Sequence, residues 1–288
     1  MKNSIQESEK LHNSQTDTSL KRRRNKQLST VSCEGKESKE TSSSWPYPTD
    51  YLDHFETSRH ALTDIEPALY RLATHLGKKK CELVVYDPYF CKGGIRQHYK
   101  DALGINNFLH EKRDFYADIK NNVVPEYDIL VTNPPYSADH KERILDFCAK
   151  SGKPWALLLP NYVVNKQYFQ QATAAASDAV STSSTVSPIF VVPGEKYLYE
   201  HPEGTGHEAS PFFSIWIMHL GSSTNQVAHW WQKKLDKDLS HPARGGQEQG
   251  QLKISRSVDH LRESQAVPSW KRPNPKQRKK LKMLKEST

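Results

Sequence analysis

The chain has 288 residues, a formal charge of +8 from 41 basic and 33 acidic side chains, 35% hydrophobic residues and a mean hydropathy of −0.79. Its apolar runs fall far short of the ~20 residues that span a bilayer, and residues 1–15 hold no apolar segment of the secretory kind. Cys33, Cys81, Cys91 and Cys148 are scattered without a C-x-x-C pair, which speaks against a disulfide framework or a zinc knuckle and points to a soluble protein of a reducing, intracellular compartment.

The charge is uneven. Residues 1–44 carry nine Lys/Arg against six Asp/Glu and residues 271–288 carry eight against one, which leaves −2 for residues 45–270. Residues 1–44 are rich in Ser, Thr, Lys, Glu and Asn and hold too little apolar surface to offset their ordering entropy, so they read as a disordered tail. Lys21-Arg22-Arg23-Arg24 and the run from Lys271 to Lys282 read as phosphate-binding or nuclear-targeting segments, or as solvated tails. Two such tails around a neutral body favour a nucleic-acid partner, because cationic segments gain affinity by releasing counterions from phosphates.

Within the body, Ala61, Leu62, Ile65, Leu69, Leu72, Ala73 and Leu76 recur at helical spacing and Gly77 ends the run. Residues 81–86 read as a buried strand, 95–103 as a helix stopped by Gly104, 107–110 as a short extended stretch and 127–132 as a second strong strand. A helix over 141–150 and a strand over 154–159 follow. Residues 172–187 read as a surface insertion rich in Ala, Ser and Thr. Strands over 189–192 and 212–220 flank a polar loop at 200–210. Alternating strands and helices predict an α/β fold, a Rossmann-like, mostly parallel sheet with helices on both faces. The predicted organisation is a polar, basic tail over 1–44, a folded domain over 45–221, an irregular polar extension over 222–270 and a basic tail over 271–288.

Two proline turns carry the chemistry. The strand ending at Thr132 delivers Asn133-Pro134-Pro135-Tyr136, and open α/β sheets place ligands at such carboxyl ends. The Asn133 side-chain oxygen and the Pro134 carbonyl can accept hydrogen bonds from an NH2 group, which suits methyl transfer to a poorly nucleophilic, conjugated amine. The prolines, Pro135 included, stiffen the turn, and Tyr136 offers a face for a base, a contact worth ~1–3 kcal/mol. Taken alone, Asn-Pro-Pro also fits an ordinary strand-ending turn. Upstream, Asp87-Pro88 leads to Gly93-Gly94 and a helix start. Glycines permit close approach of a ligand, and a helix N-terminus attracts a carboxylate. No metal-ligand spacing is found among the 13 histidines, and no nucleophile elbow or phosphate loop is present. Cys91 reads as a packing residue. Trp230-Trp231 reads either as a stacking pair or as an anchor.

With these residues in view, the chain resembles the class I S-adenosylmethionine-dependent methyltransferases, and among them the amino-methylating, N6-adenine type. Asn133 to Tyr136 match the family's Asp/Asn-Pro-Pro-aromatic motif in full. Asp87 to Gly94 approximate its cofactor loop, with Cys91-Lys92 in place of the first glycine. Phe55-Glu56-Thr57 resembles its aromatic-x-Thr-Pro segment, with Ser58 in place of the proline. The resemblance covers roughly residues 51–220. It implies S-adenosylmethionine as cofactor, held by Phe55, Thr57, Asp87, Gly93 and Gly94, with Glu111 on the ribose and Asp114-Phe115 at the adenine. It implies methylation of an exocyclic nucleobase amine, adenine N6 in RNA by preference and DNA as the second choice, with the base flipped or unstacked. A glutamine-type protein N-methyltransferase and a non-catalytic nucleic-acid-binding protein on the same fold are the rival readings. The expected location is the nucleus or nucleolus in a eukaryote and the cytoplasm otherwise. No membrane association is expected, and an activating protein partner is left open.

Overall fold

The computed structural model describes residues 53, 56–179, 186–199, 212–240 and 251–263. The basic runs, Phe55 and the loop over 200–210 lie outside the described residues. In chain order the elements are α1 (Arg59–His75), β1 (Val84–Tyr86), α2 (Ile95–Leu103), β2 (Asn107–Leu109), α3 (Phe115–Lys120), β3 (Ile129–Thr132), α4 (His140–Ser151), β4 (Trp155–Pro160) and α5 (Gln167–Ala179). They continue with β5 (Ile189–Val192), β6 (Ser214–His219), α6 (Thr224–Ser240), β7 (Lys253–Ser255) and α7 (Val258–Glu263).

The seven strands form one sheet in the order β2-β1-β3-β4-β6-β5-β7. Strands β2, β1, β3 and β4 are parallel, whereas β6 runs antiparallel to both β4 and β5, and β7 antiparallel to β5. The expected α/β class therefore holds, with one correction. The sheet is mixed, and its parallel character is confined to the half that carries both proline turns.

Alternation along the strands divides the core in two, because successive side chains leave a strand on opposite faces. Val85, Ile129, Val131, Ala156, Leu158, Trp216 and Met218 pack with α1, α2 and α6. Tyr86, Leu130, Trp155, Leu157, Leu159, Ile215 and Ile217 pack with α3, α4, α5 and α7. Helix α1 keeps its apolar stripe inward and starts at Ser58, whose Oγ accepts the Ala61 amide at 3.3 Å. The indole Nε1 of Trp216 donates to the Ala61 carbonyl at 2.8 Å and so ties β6 to the first turn of that helix.

Two further expectations are corrected. The Ala/Ser/Thr-rich stretch is in part the helix α5, which buries Phe169 and Ala176. Small residues there look like loop composition, yet alanine is the best helix former. The stretch after Gly221 is not irregular. It supplies α6, with Val227, Ala228 and Trp231 buried one turn apart, and the edge strand β7.

At the end of β6, His219 is 3% exposed and stacks on Trp155 with ring centroids 5.9 Å apart. Burial, reinforced by the charge of Arg256, holds its imidazole pKa down at about 4. The folded chain thus binds fewer protons than the unfolded chain between about pH 6.5 and about pH 4. Stability is complete above the unfolded value and falls as the pH drops through that window, by ~3 kcal/mol in total. Denaturant titrations at several pH values should show this slope, and His219→Gln should reduce it by about one proton's worth. An unchanged slope in the variant would remove His219 as its source.

Candidate active site

Strand β1 is flanked by β2 on one side and β3 on the other. The connection after β1 returns to β2 and the one after β3 goes on to β4, so the loops after β1 and β3 part to open a crevice at the carboxyl ends of the parallel strands. Both proline turns lie there.

Asp87 closes β1 and knits the crevice floor. Its Oδ1 accepts the Thr132 hydroxyl at 2.5 Å and the Tyr89 amide at 3.2 Å, so the last residue of β3 is tied to the first residue after β1. His110, just past β2, places Nδ1 3.1 Å from the Asp87 carbonyl oxygen and 3.8 Å from Oδ2. Burial raises the Asp87 carboxyl pKa, while His110 and the Thr132 hydroxyl oppose the shift. In this arrangement the Asp87 carboxylate serves the fold of the site.

The turn that follows is filled from within the chain. Gly93 has φ +86°, and a Cβ there would lie 2.9 Å from Cζ of Phe90. A Cβ on Gly94 would lie 2.4 Å from Oε2 of Glu56. The amides of Lys92 and Gly94 donate to Glu56 Oε1 at 3.2 and 3.0 Å, at the N-terminus of α2. The glycine turn and the helix N-terminus led to the expectation of a ligand carboxylate here, and in this structure the group at these amides is the chain's own Glu56. Cys91 lies in the same turn. Burial, with Glu56 adding to it, pushes its thiol up to about 12, which keeps it protonated at neutral pH and agrees with a packing role.

The remaining predicted cofactor residues are placed as follows. Glu111 is exposed and lines a small, open pocket at the ends of β1 and β2, together with Tyr86, Pro88, His110 and Arg113. Asp114 is the N-cap of α3, its Oδ1 accepting the amides of Tyr116 and Ala117 at 2.9 and 3.1 Å. Phe115 is fully buried against Tyr89 and Phe147. Both residues thus have structural duties. Thr57 is buried at the entrance to α1.

At the end of β3, Pro134 and Pro135 are buried and Asn133 is half-buried. The turn is clamped from three sides. The amides of Tyr136 and Ser137 both donate to Asp53 Oδ1 at 3.0 Å, and the Lys141 ammonium donates to the Tyr136 carbonyl. The Tyr136 hydroxyl donates to the Leu158 carbonyl at 3.1 Å and lies 3.4 Å from Ser214 Oγ. Burial pushes the Tyr136 hydroxyl pKa well above its usual value. The ring, edge-on to Phe212 at 5.9 Å, is held in one orientation and keeps a partly exposed surface.

No protein-family model matches this chain, and no curated protein matches it. The site therefore rests on its own geometry. The fold brings Asp87, Thr132 and Asn133 to one crevice and sets Glu56, beside Thr57, on Gly94. Glu111 and Asp114 stand on the β2 side of the crevice, at the pocket and at a helix cap. Asp53, Glu56, His110, Thr132 and Lys141 were not among the predicted site residues. Thr132 carried a local signal, a polar residue closing an apolar strand. Asp53 and Glu56 carried none, because their partners lie 83 and 38 residues away in the chain. Among the described residues no cluster of His, Cys, Asp and Glu is arranged to hold a metal ion.

Proposed function

We propose that the protein is an S-adenosylmethionine-dependent N-methyltransferase that acts on an exocyclic nucleobase amine, with adenine N6 in RNA as the preferred target. The observation that carries this reading is the rigid Asn133-Pro134-Pro135-Tyr136 turn at the carboxyl end of β3, hydrogen-bonded through Thr132 and Asp87 to the glycine turn after β1. The β2-β1-β3-β4 order supports a doubly wound, Rossmann-like reading of the parallel half, in which ligands sit where the strand order reverses.

The glycine turn, the Thr57 segment and the pocket at Glu111 are the residues suited to the cofactor. Its fit requires the Gly93–Gly94 cradle to be cleared of Phe90 and Glu56. When bound, the cofactor supplies an electrophilic methyl group on a sulfonium. In this reading Asn133 and the Pro134 carbonyl accept the two N–H bonds of the target amine, which aims its lone pair and favours positive charge on nitrogen as the bond forms. Tyr136 limits the base to one plane. As the N–C bond forms and the S–C bond breaks, one amine proton passes to water, so no buried general base is needed.

Nucleic acid as partner draws on the basic runs at 21–26 and 271–282, which also suit a nuclear location. A second reading, a nucleic-acid-binding protein without catalysis, draws on the filled glycine turn. Labelled methyl transfer from S-adenosylmethionine into separate RNA, DNA and protein pools tests all of these. Label in RNA is expected. Label confined to protein would favour the glutamine-type enzyme, and label in no pool without cofactor binding would leave the binding protein.

A further inference from the structure

Two side chains of the chain itself occupy the faces of Gly93 and Gly94 that the absence of a Cβ leaves open. Phe90 lies over Gly93, and the Glu56 carboxylate lies over Gly94 while it accepts the Lys92 and Gly94 amides. Phe90 also stacks on His110, ring centroids 4.8 Å apart, and the Nε2 of this buried imidazole has no hydrogen-bond partner among the described residues. Asp53 accepts the Tyr136 and Ser137 amides, and Ser58, two residues after Glu56, caps α1. One carboxylate thus stands at each turn, Glu56 at the glycine turn and Asp53 at the Asn-Pro-Pro-Tyr turn.

We propose that Glu56 is a latch that competes with the carboxylate of the bound ligand, so that the chain described here is the closed form and a carboxylate-bearing adenosyl amino acid opens it by displacing Glu56 from the Lys92 and Gly94 amides. The proposal rests on the cofactor reading above and adds to it a regulatory contact of this chain. Two carboxylates cannot share one pair of N–H donors. The apparent affinity for such a ligand is therefore lowered by the fraction of molecules in which Glu56 is seated. A ligand that lacks the carboxylate leaves the latch undisturbed.

The test compares S-adenosylhomocysteine with 5′-methylthioadenosine, which shares the adenosyl thioether but has no amino-acid carboxylate. Both are titrated calorimetrically into the full chain and into Glu56→Gln and Glu56→Ala, with thermal melting to verify that the variants fold. Hydrogen bonds to a charged acceptor have a strength that predicts ~10-fold tighter S-adenosylhomocysteine binding in both variants, with methylthioadenosine affinity unchanged within about twofold. If the wild type binds S-adenosylhomocysteine and the variants bind it equally or more weakly, Glu56 assists the ligand, and the latch is overturned while the cofactor reading stands. If neither compound binds any of the three proteins at millimolar concentration, the cofactor reading fails and the latch with it.

Discussion

Under the proposed function, Asn133→Ala is expected to lower methyl transfer by a factor of ~10²–10³, about 2.7–4 kcal/mol of transition-state stabilisation, while cofactor affinity and melting temperature stay near those of the wild type. Asn133 is half-buried at the end of β3, outside both apolar clusters, and the strand is secured beneath it by Thr132 on Asp87. Truncation therefore removes an acceptor that belongs to neither apolar cluster. The acceptor matters most when the amine nitrogen gains positive charge, so the loss should fall on kcat more than on KM. Asn133→Asp keeps an acceptor of similar reach and should retain part of the rate, as the Asp/Asn choice in the motif it resembles implies. The comparison needs the polymer pool that takes up label, steady-state rates and a direct binding measurement. Full activity in the alanine variant would end the amine-gripping role. Loss of cofactor binding in parallel with loss of rate would instead assign Asn133 to the cofactor side of the crevice.

The parts of this molecule that could be read in advance are those written locally. Helix α2 is bounded as expected because its period is regular and Gly104, at φ +64°, accepts the left-handed turn that stops it. The strand β5 and the proline turn after β3 are equally local. The antiparallel course of β6 is not local. Its six residues are all buried, and a strand covered on both faces shows no alternation from which direction could be inferred. Asp114 shows a different limit. The same Asp-Phe pair fits a ligand-binding motif and an N-cap followed by a core residue, and the contacts of its Oδ1 show the second role, which the local sequence did not single out. The candidate site was legible at its motif and illegible at its supports, because Asp53, Glu56 and Lys141 act through backbone groups whose proximity is created by the whole sheet.

The stretch after Gly221 provides the second large effect. Trp231→Ala is expected to cost ~3–5 kcal/mol of stability, the range for removal of a fully buried aromatic side chain, because the cavity left behind adds to the lost transfer energy. Trp231 is 0% exposed and lies with Val227 and Ala228 on the face of α6 that closes the cluster shared by α1 and α2. Its neighbour Trp230 is partly exposed, beside Tyr70 with ring centroids 6.4 Å apart and beneath the Arg71 guanidinium at 5.6 Å. Trp230→Ala should therefore cost only ~0.5–1 kcal/mol. Urea denaturation of the full chain measures both, and the pair is informative because the two substitutions change composition identically. A large difference makes α6 part of the fold, so that a chain cut after Gly221 would expose the α1 side of the sheet and lose β7 from the β5 edge. Equal, small costs would return α6 to the status of an appendage and leave Trp230-Trp231 available as a pair for stacking on bases.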